Sequence, residues 1–198
     1  MRFPSSIRAV DPGRRRLLWW LAAGPAVFAG GGLARAASSI PVPGADLLAP
    51  RTLSMVSTHT GERLEVRYFE QGQYLPEGLQ KLDRLLRDHR SGEVAAIDPK
   101  LFDQLHALAL CAGCVPHFEI ISGYRSPATN EKLRKTGGGG VAKRSLHMDG
   151  RAIDVRLAGC RLSQLRDLAL AMNAGGVGYY PTSAFVHLDT GRVRSWSG

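Results

Sequence analysis

Three cysteines in 198 residues are too few for a disulfide framework. Cys111 and Cys114 stand in CxxC spacing, but no second CxxC completes a four-thiolate metal site, and Cys160 is alone. They read as buried structural cysteines; an oxidising compartment would permit one disulfide, and the sequence does not say which pair. Long apolar runs are also missing. The most apolar stretch, residues 17–32, is broken by Gly24-Pro25 and by Gly30-Gly31-Gly32. It is shorter than the ~20 residues a spanning helix needs, which argues against a stable membrane anchor. The glycine run at residues 137–140 lacks the following Lys-Ser/Thr of a phosphate loop, which excludes that mode of nucleotide binding. It reads as a mobile lip or a passive linker. Nor is there a stripe of basic residues interleaved with aromatics, so nucleic acid is not the expected partner.

The formal net charge of +9 is unevenly distributed. Residues 1–36 hold six Arg and one Asp, and the remainder holds twenty basic and sixteen acidic residues. Arg14-Arg15-Arg16 before a weakly apolar stretch, followed by Ala34-Arg35-Ala36, has the layout of a cleavable export signal. The paired arginines point to the twin-arginine route, although Gly13 and Leu17 depart from its usual residues. The expected organisation is an export signal over residues 1–36, a linker or arm over 37–50 rich in Pro, Ala and Gly, and one domain over 51–198. That places the mature protein in the periplasm.

Within the domain, residues 51–68 alternate in part and predict a hairpin around Thr60-Gly61. Leu79, Leu82, Leu85 and Leu86 recur at helical spacing, predicting a helix from Pro76 to about Arg90. Asp98-Pro99 predicts the capped start of a second helix. A short strand is expected over 118–121, a short helix over 129–135 and a longer one over 163–174. Gly175–Tyr179 is expected to lead into a strand, and residues 185–189 to form the strand that closes the sheet. Helices gathered early and strands late imply an α+β fold with a small, mainly antiparallel sheet.

The chemistry concentrates in Ser145-Leu-His147-Met-Asp-Gly-Arg-Ala-Ile-Asp154 and in Phe185-Val-His187-Leu-Asp189. Residues 151–157 read as a buried strand, where the carboxylate of Asp154 is costly unless it is paired or binds a metal. In 185–189 a period of two puts His187 and Asp189 on one face and Val186 and Leu188 on the other. Two imidazoles and a carboxylate form a ligand set that suits Zn²⁺ and leaves a fourth position open for water.

The Ser-x-His-x-x-Gly-x-Ala-x-Asp pattern with its later His resembles the M15 and hedgehog-type zinc peptidases. Thr58–Arg63, Leu86–Arg90, Ser122–Ser126, Gly175–Tyr179 and Phe185–Arg192 further resemble the DUF882 branch, so the resemblance covers roughly His59 to Trp196. It implies a hedgehog/DD-peptidase fold with four antiparallel strands flanked by helices. It also implies an exported hydrolase of peptidoglycan cross-links or stem peptides, with the mildly basic domain meeting an anionic polymer. His147, Asp154 and His187 would hold zinc. Arg125 resembles the family arginine that faces the substrate and the developing oxyanion, and Ser145 is a candidate hydroxyl beside the substrate. M15 relatives usually place a Glu three residues before the last His ligand, where this chain has Ala184. Asp189 is the nearest replacement as general base, or else a group that holds His187 or Arg125 in place; His59 and His89 are further alternatives. The missing Glu leaves open a catalytically silent wall-binding or activating protein on the same fold.

Overall fold

A computed structural model of the protein describes residues 48–115, 117–136 and 141–198. The expected export signal, nearly all of the expected linker and the 137–140 glycine run lie outside the described residues. No helix among the described residues is long and apolar enough to cross a membrane.

The fold begins with the hairpin that alternation predicted. β1 (Arg51–Ser57) and β2 (Arg63–Glu70) pair antiparallel, and Leu53, Met55, Val66 and Tyr68 are buried between more exposed neighbours. A two-residue β3 (Gln73–Tyr74) extends β2 at the sheet edge. α1 (Pro76–Leu85) packs on β2, and α2 (Pro99–Ala112) packs on β1. Asp98 caps α2 by accepting from the Lys100 N–H, and Gly113 ends it at φ 63°. The two helices carry the chain to β4 (His117–Ser122), which lies parallel to β1. A parallel neighbour needs such a crossover.

After α3 (Pro127–Thr136) and a 3₁₀ turn (Leu146–Asp149), β5 (Ala152–Leu157) runs antiparallel to β4. α4 (Leu162–Met172) then leads to the antiparallel hairpin of β6 (Gly176–Tyr180) and β7 (Phe185–Asp189). β8 (Arg194–Ser197) closes the sheet parallel to β6. The sheet order is β3-β2-β1-β4-β5-β7-β6-β8. Five of its seven pairings are antiparallel. The α+β, mainly antiparallel expectation holds. The sheet has eight strands rather than four, because the N-terminal hairpin joins it and two very short strands extend its edges.

One helix is shorter than expected. α1 stops at Leu85 instead of Arg90 because the chain turns back at Asp88, whose N–H donates to Glu93 O at 2.9 Å. The core forms where α1, α2 and α4 cover the sheet, with Phe102, Leu105, Phe118, Ile153, Val155, Leu165, Val186 and Leu188 all buried in it. Removing a large apolar side chain such as these from water contributes about 1.5–3 kcal/mol. Ile153 and Val155 enter this core, so the intervening Asp154 projects from the opposite face of β5. His187 does the same between Val186 and Leu188 on β7.

Candidate metal centre and active site

Asp154 and His187 are direct cross-strand partners in the β5–β7 pairing. The His187 Nδ1 to Asp154 Oδ1 separation is 2.8 Å. His147 reaches the same place from the 3₁₀ turn, with its Nε2 3.3 Å from Asp154 Oδ1 and 3.3 Å from His187 Nδ1. The turn is held by Gly150, at φ 64°, whose carbonyl accepts from the Asp98 N–H at 2.9 Å. A Cβ there would come within 2.1 Å of Ala96 O, so any other residue would push the His147 turn away from the segment that leads into α2.

The three donors fit a zinc ion. Ligand bonds of about 2.0–2.1 Å at tetrahedral angles put neighbouring donors about 3.3 Å apart, close to the separations found here. The ring nitrogens facing away are also occupied. His147 Nδ1 lies 2.7 Å from Gly123 O, which fixes its N–H there and leaves Nε2 as the lone-pair donor. His187 Nε2 lies 3.2 Å from Asp189 Oδ2, which leaves Nδ1 to face Asp154. His147 is 3% exposed and Asp154 5%, so water alone does not compensate the carboxylate. Burial pushes the pKa of Asp154 up, but His147 and His187 outweigh it and hold the group well below the usual carboxylate range. Burial lowers the pKa of His187, yet Asp154 and Asp189 raise it above its ordinary value.

A cavity of about 410 Å³ opens over these donors. Arg125, Arg144 and Arg194 line it, as do the rings of Tyr180, Phe185 and Trp196. Ser145 is also in the wall, and its hydroxyl makes no cap to the 3₁₀ turn. Arg125 is the more buried of the free cations. Among the described residues its Nε has no hydrogen-bond partner, and Nη1 makes only a long 3.4 Å bond to Asn130 Oδ1. Burial lowers its pKa, an effect opposed by nearby Asp154. A poorly satisfied guanidinium beside candidate metal donors suits an incoming carboxylate or oxyanion.

Residues 46–196 match the family Peptidase_M15_2, described as "Peptidoglycan L,D-endopeptidase MepK". The chain belongs to this family. Peptidoglycan L,D-endopeptidase MepK of Escherichia coli strain K12 is 43% identical over 189 residues, which cover 94% of this chain and 98% of that protein. The probable peptidoglycan L,D-endopeptidase MepK of Haemophilus influenzae is 43% identical over 150 residues, covering 75% of this chain and 80% of its own. No solved structure matches the chain significantly. The M15-type resemblance read from the motifs is therefore right at family level, and the α+β architecture agrees with it.

In this member of the family Asp189 is sealed, at 1% exposure. Its Oδ1 accepts the N–H groups of Gly176 at 3.0 Å and Gly191 at 2.8 Å, and Arg194 clasps both oxygens at 3.1 and 2.6 Å. Burial pushes its pKa up, but His187, Arg194 and the two backbone N–H groups bring it far below the usual range. Ala184, where the resemblance to M15 relatives implies a Glu, is exposed on the β6–β7 connection at φ 54°. His59 and His89 stack on each other, ring centroids 3.9 Å apart, and neither lines the cavity. Burial, with Arg90 and His59 nearby, pushes His89 down to about 4.

Three contributors were not assigned roles from sequence. Gly178 lies opposite both His187 and Trp196 in the sheet, and a Cβ there would come within 2.7 Å of the Trp196 ring. The bare backbone lets the indole lie 5.2 Å from the His187 ring, with its Nε1–H donating to Tyr180 Oη at 2.8 Å. Arg194 braces Asp189 and stands 4.9 Å from the Trp196 centroid. Asp88 is buried and accepts the Ser126 N–H at 2.9 Å and the Arg90 N–H at 3.0 Å, fixing the loop that carries Arg125. Its membership of the Leu86–Arg90 motif was visible, but the distant partner Ser126 was not.

Burial raises the Asp88 pKa, but the Thr129 hydroxyl and the Ser126 and Arg90 N–H groups more than reverse this, leaving it well below the usual range. Its folded value is thus below the ~3.9 of an unfolded Asp. The stability it contributes is present above about pH 4 and is lost as pH falls through the folded value. Asp88→Asn is expected to cost about 1–3 kcal/mol at pH 7, with a smaller difference from wild type in acid. Urea unfolding at neutral and strongly acidic pH checks this; an equal loss at both would show that the charge is not what matters.

Proposed function

We propose that the protein is a zinc-dependent endopeptidase that cuts L,D peptide bonds in bacterial peptidoglycan and works outside the cytoplasm. One observation carries the reading: two imidazoles and a carboxylate at tetrahedral spacing, under a cavity lined by arginines, in a chain of a peptidoglycan endopeptidase family. A bound zinc ion supplies Lewis acidity toward the scissile carbonyl and lowers the pKa of water. His147, Asp154 and His187 hold it, while Gly123 O and Asp189 orient the two rings. Arg125 takes the developing negative charge or a carboxylate of the peptide, and Ser145 contributes a hydroxyl at the wall. Tyr180, Phe185 and Trp196 exclude water on the other side.

Asp189 is better placed to position His187 than to accept the proton of the attacking water. Its oxygens are shared among His187, Arg194 and two backbone N–H groups, and a carboxylate held so far into its charged form is a weak base. The export reading of residues 1–36 draws support from a substrate that lies outside the cytoplasm. Lys at positions 14–16 would trap precursor inside if the twin-arginine route operates; normal export of that variant would refute this route.

Digestion of purified sacculi, with identification of released muropeptides, tests the function. The zinc-loaded protein is expected to remove L,D cross-links, and a chelator to stop it. Arg125→Ala should keep its zinc and lose ~10²–10³-fold in rate. Sacculus binding without any release by zinc-loaded wild type would favour the silent wall-binding alternative that Ala184 raises.

A further inference from the structure

Cys114 and Cys160 stand at neighbouring ends of adjacent antiparallel strands. Cys114 lies just before β4 and Cys160 just after β5. Phe118 pairs with Leu157, and the Ala158 N–H donates to His117 O at 3.0 Å, so these two chain ends are held side by side. This makes Cys114 and Cys160 close neighbours, each thiol donating to a carbonyl of its own turn, Cys114 to Ala112 O at 3.5 Å and Cys160 to Arg161 O at 3.6 Å. Both side chains are half-buried against the hydrophobic core.

Cys111 is placed differently. It belongs to α2, whereas the left-handed Gly113 takes the chain out of the helical path before Cys114. Reactive CxxC pairs exploit a helix N-terminus, whose dipole stabilises a thiolate. Cys111 and Cys114 sit at a helix C-terminus, where the dipole has the opposite effect. Burial and the nearby Cys114 push the Cys160 thiol up, which is unlike a redox sensor.

We propose that Cys114 and Cys160 form a structural disulfide when the protein is in an oxidising compartment, leaving Cys111 as a single thiol. The compartment rests on the function proposed above; the pairing does not. The bond forms by thiol–disulfide exchange with an oxidised dithiol or glutathione disulfide. One cysteine thiolate attacks that disulfide and expels a thiol. The other then attacks the mixed disulfide, forming the Cys114–Cys160 bond and expelling the second thiol. The protein loses two electrons and two protons, and the oxidant is reduced to two thiols. The bond closes a loop on the order of 45 residues, restricting the unfolded chain. That loop contains Arg125, His147 and Asp154, at the ends of β4 and β5 remote from the cysteines.

The test is thiol titration and peptide mapping of the purified protein equilibrated with glutathione disulfide, before and after reduction. One titratable thiol and a linked peptide pair carrying Cys114 and Cys160 are expected, rising to three thiols on reduction. Oxidation should raise Tm on the order of 5–10 °C, and Cys160→Ser should abolish that gain. Three free thiols after oxidation, or a bond through Cys111, would overturn the pairing. Zinc analysis of the same samples checks the metal site separately, because the pairing predicts equal zinc in both redox forms. A bond formed in vitro with three free thiols in protein trapped from cells would uphold the pairing and overturn the compartment.

Discussion

His147→Ala is expected to yield a folded protein that has lost both its zinc and its hydrolytic activity. His147 is the only one of the three donors that comes from outside the paired strands β5 and β7. Its loss leaves Asp154 and His187, still joined across the strands at 2.8 Å, so the sheet should survive. Two ligands make a poor zinc site, because structural and catalytic sites hold zinc with at least three protein donors. Removing a partner beyond the ligands typically costs 10–100-fold in affinity or activity, and loss of a ligand should exceed about 100-fold. Circular dichroism, zinc analysis after dialysis and sacculus digestion, made on one preparation, check the three parts. Full zinc in His147→Ala would refute the ligand assignment; unfolding would show that the turn's packing, with its Gly123 and Arg125 contacts, dominates.

Asp189→Asn separates two roles for one carboxylate. If Asp189 orients His187, the variant should bind zinc ~10–100-fold more weakly, and saturating zinc should restore much of the rate. If Asp189 is the general base, zinc binding should be nearly intact and the rate should fall ~10²–10⁴-fold whatever the zinc concentration. The first outcome is expected, since the carboxylate is sealed and shared among His187, Arg194, Gly176 and Gly191. Zinc titration against sacculus digestion rate decides between them. Arg194→Ala offers a second view: it removes one support of Asp189 without touching a metal donor, so it should shift the zinc titration in the same direction by less.

Much of the fold and the three candidate metal donors were legible because local patterns carry them. Alternation in 51–57 and 63–70 was enough for the hairpin, and Asp98-Pro99 was enough for the start of α2. The sequence spacing of His147, Asp154 and His187 already allowed a ligand set. β3 and β8, at two and four residues, are too short to show a period. The end of α1 was misplaced because Leu86 continues the helical pattern, while the turn is held by Asp88 through a partner 38 positions away.

The resemblance of the motifs to M15 peptidases pointed to the family, and the pattern of residues pointed to the α+β class and the candidate metal donors, since each can be read from residue types along the chain. Only the tertiary structure decided what Asp189 touches, which ring nitrogens of His147 and His187 face one another, and which cysteine lies against Cys160. Those facts depend on strand register and chain reversal: β5 meets β7 across more than thirty positions, putting Asp154 opposite His187. Alternation places His187 and Asp189 on one face, but the N–H groups of Gly176 and Gly191 and the guanidinium of Arg194 occupy that carboxylate, which is the ground for proposing it as a support of His187 rather than as the base.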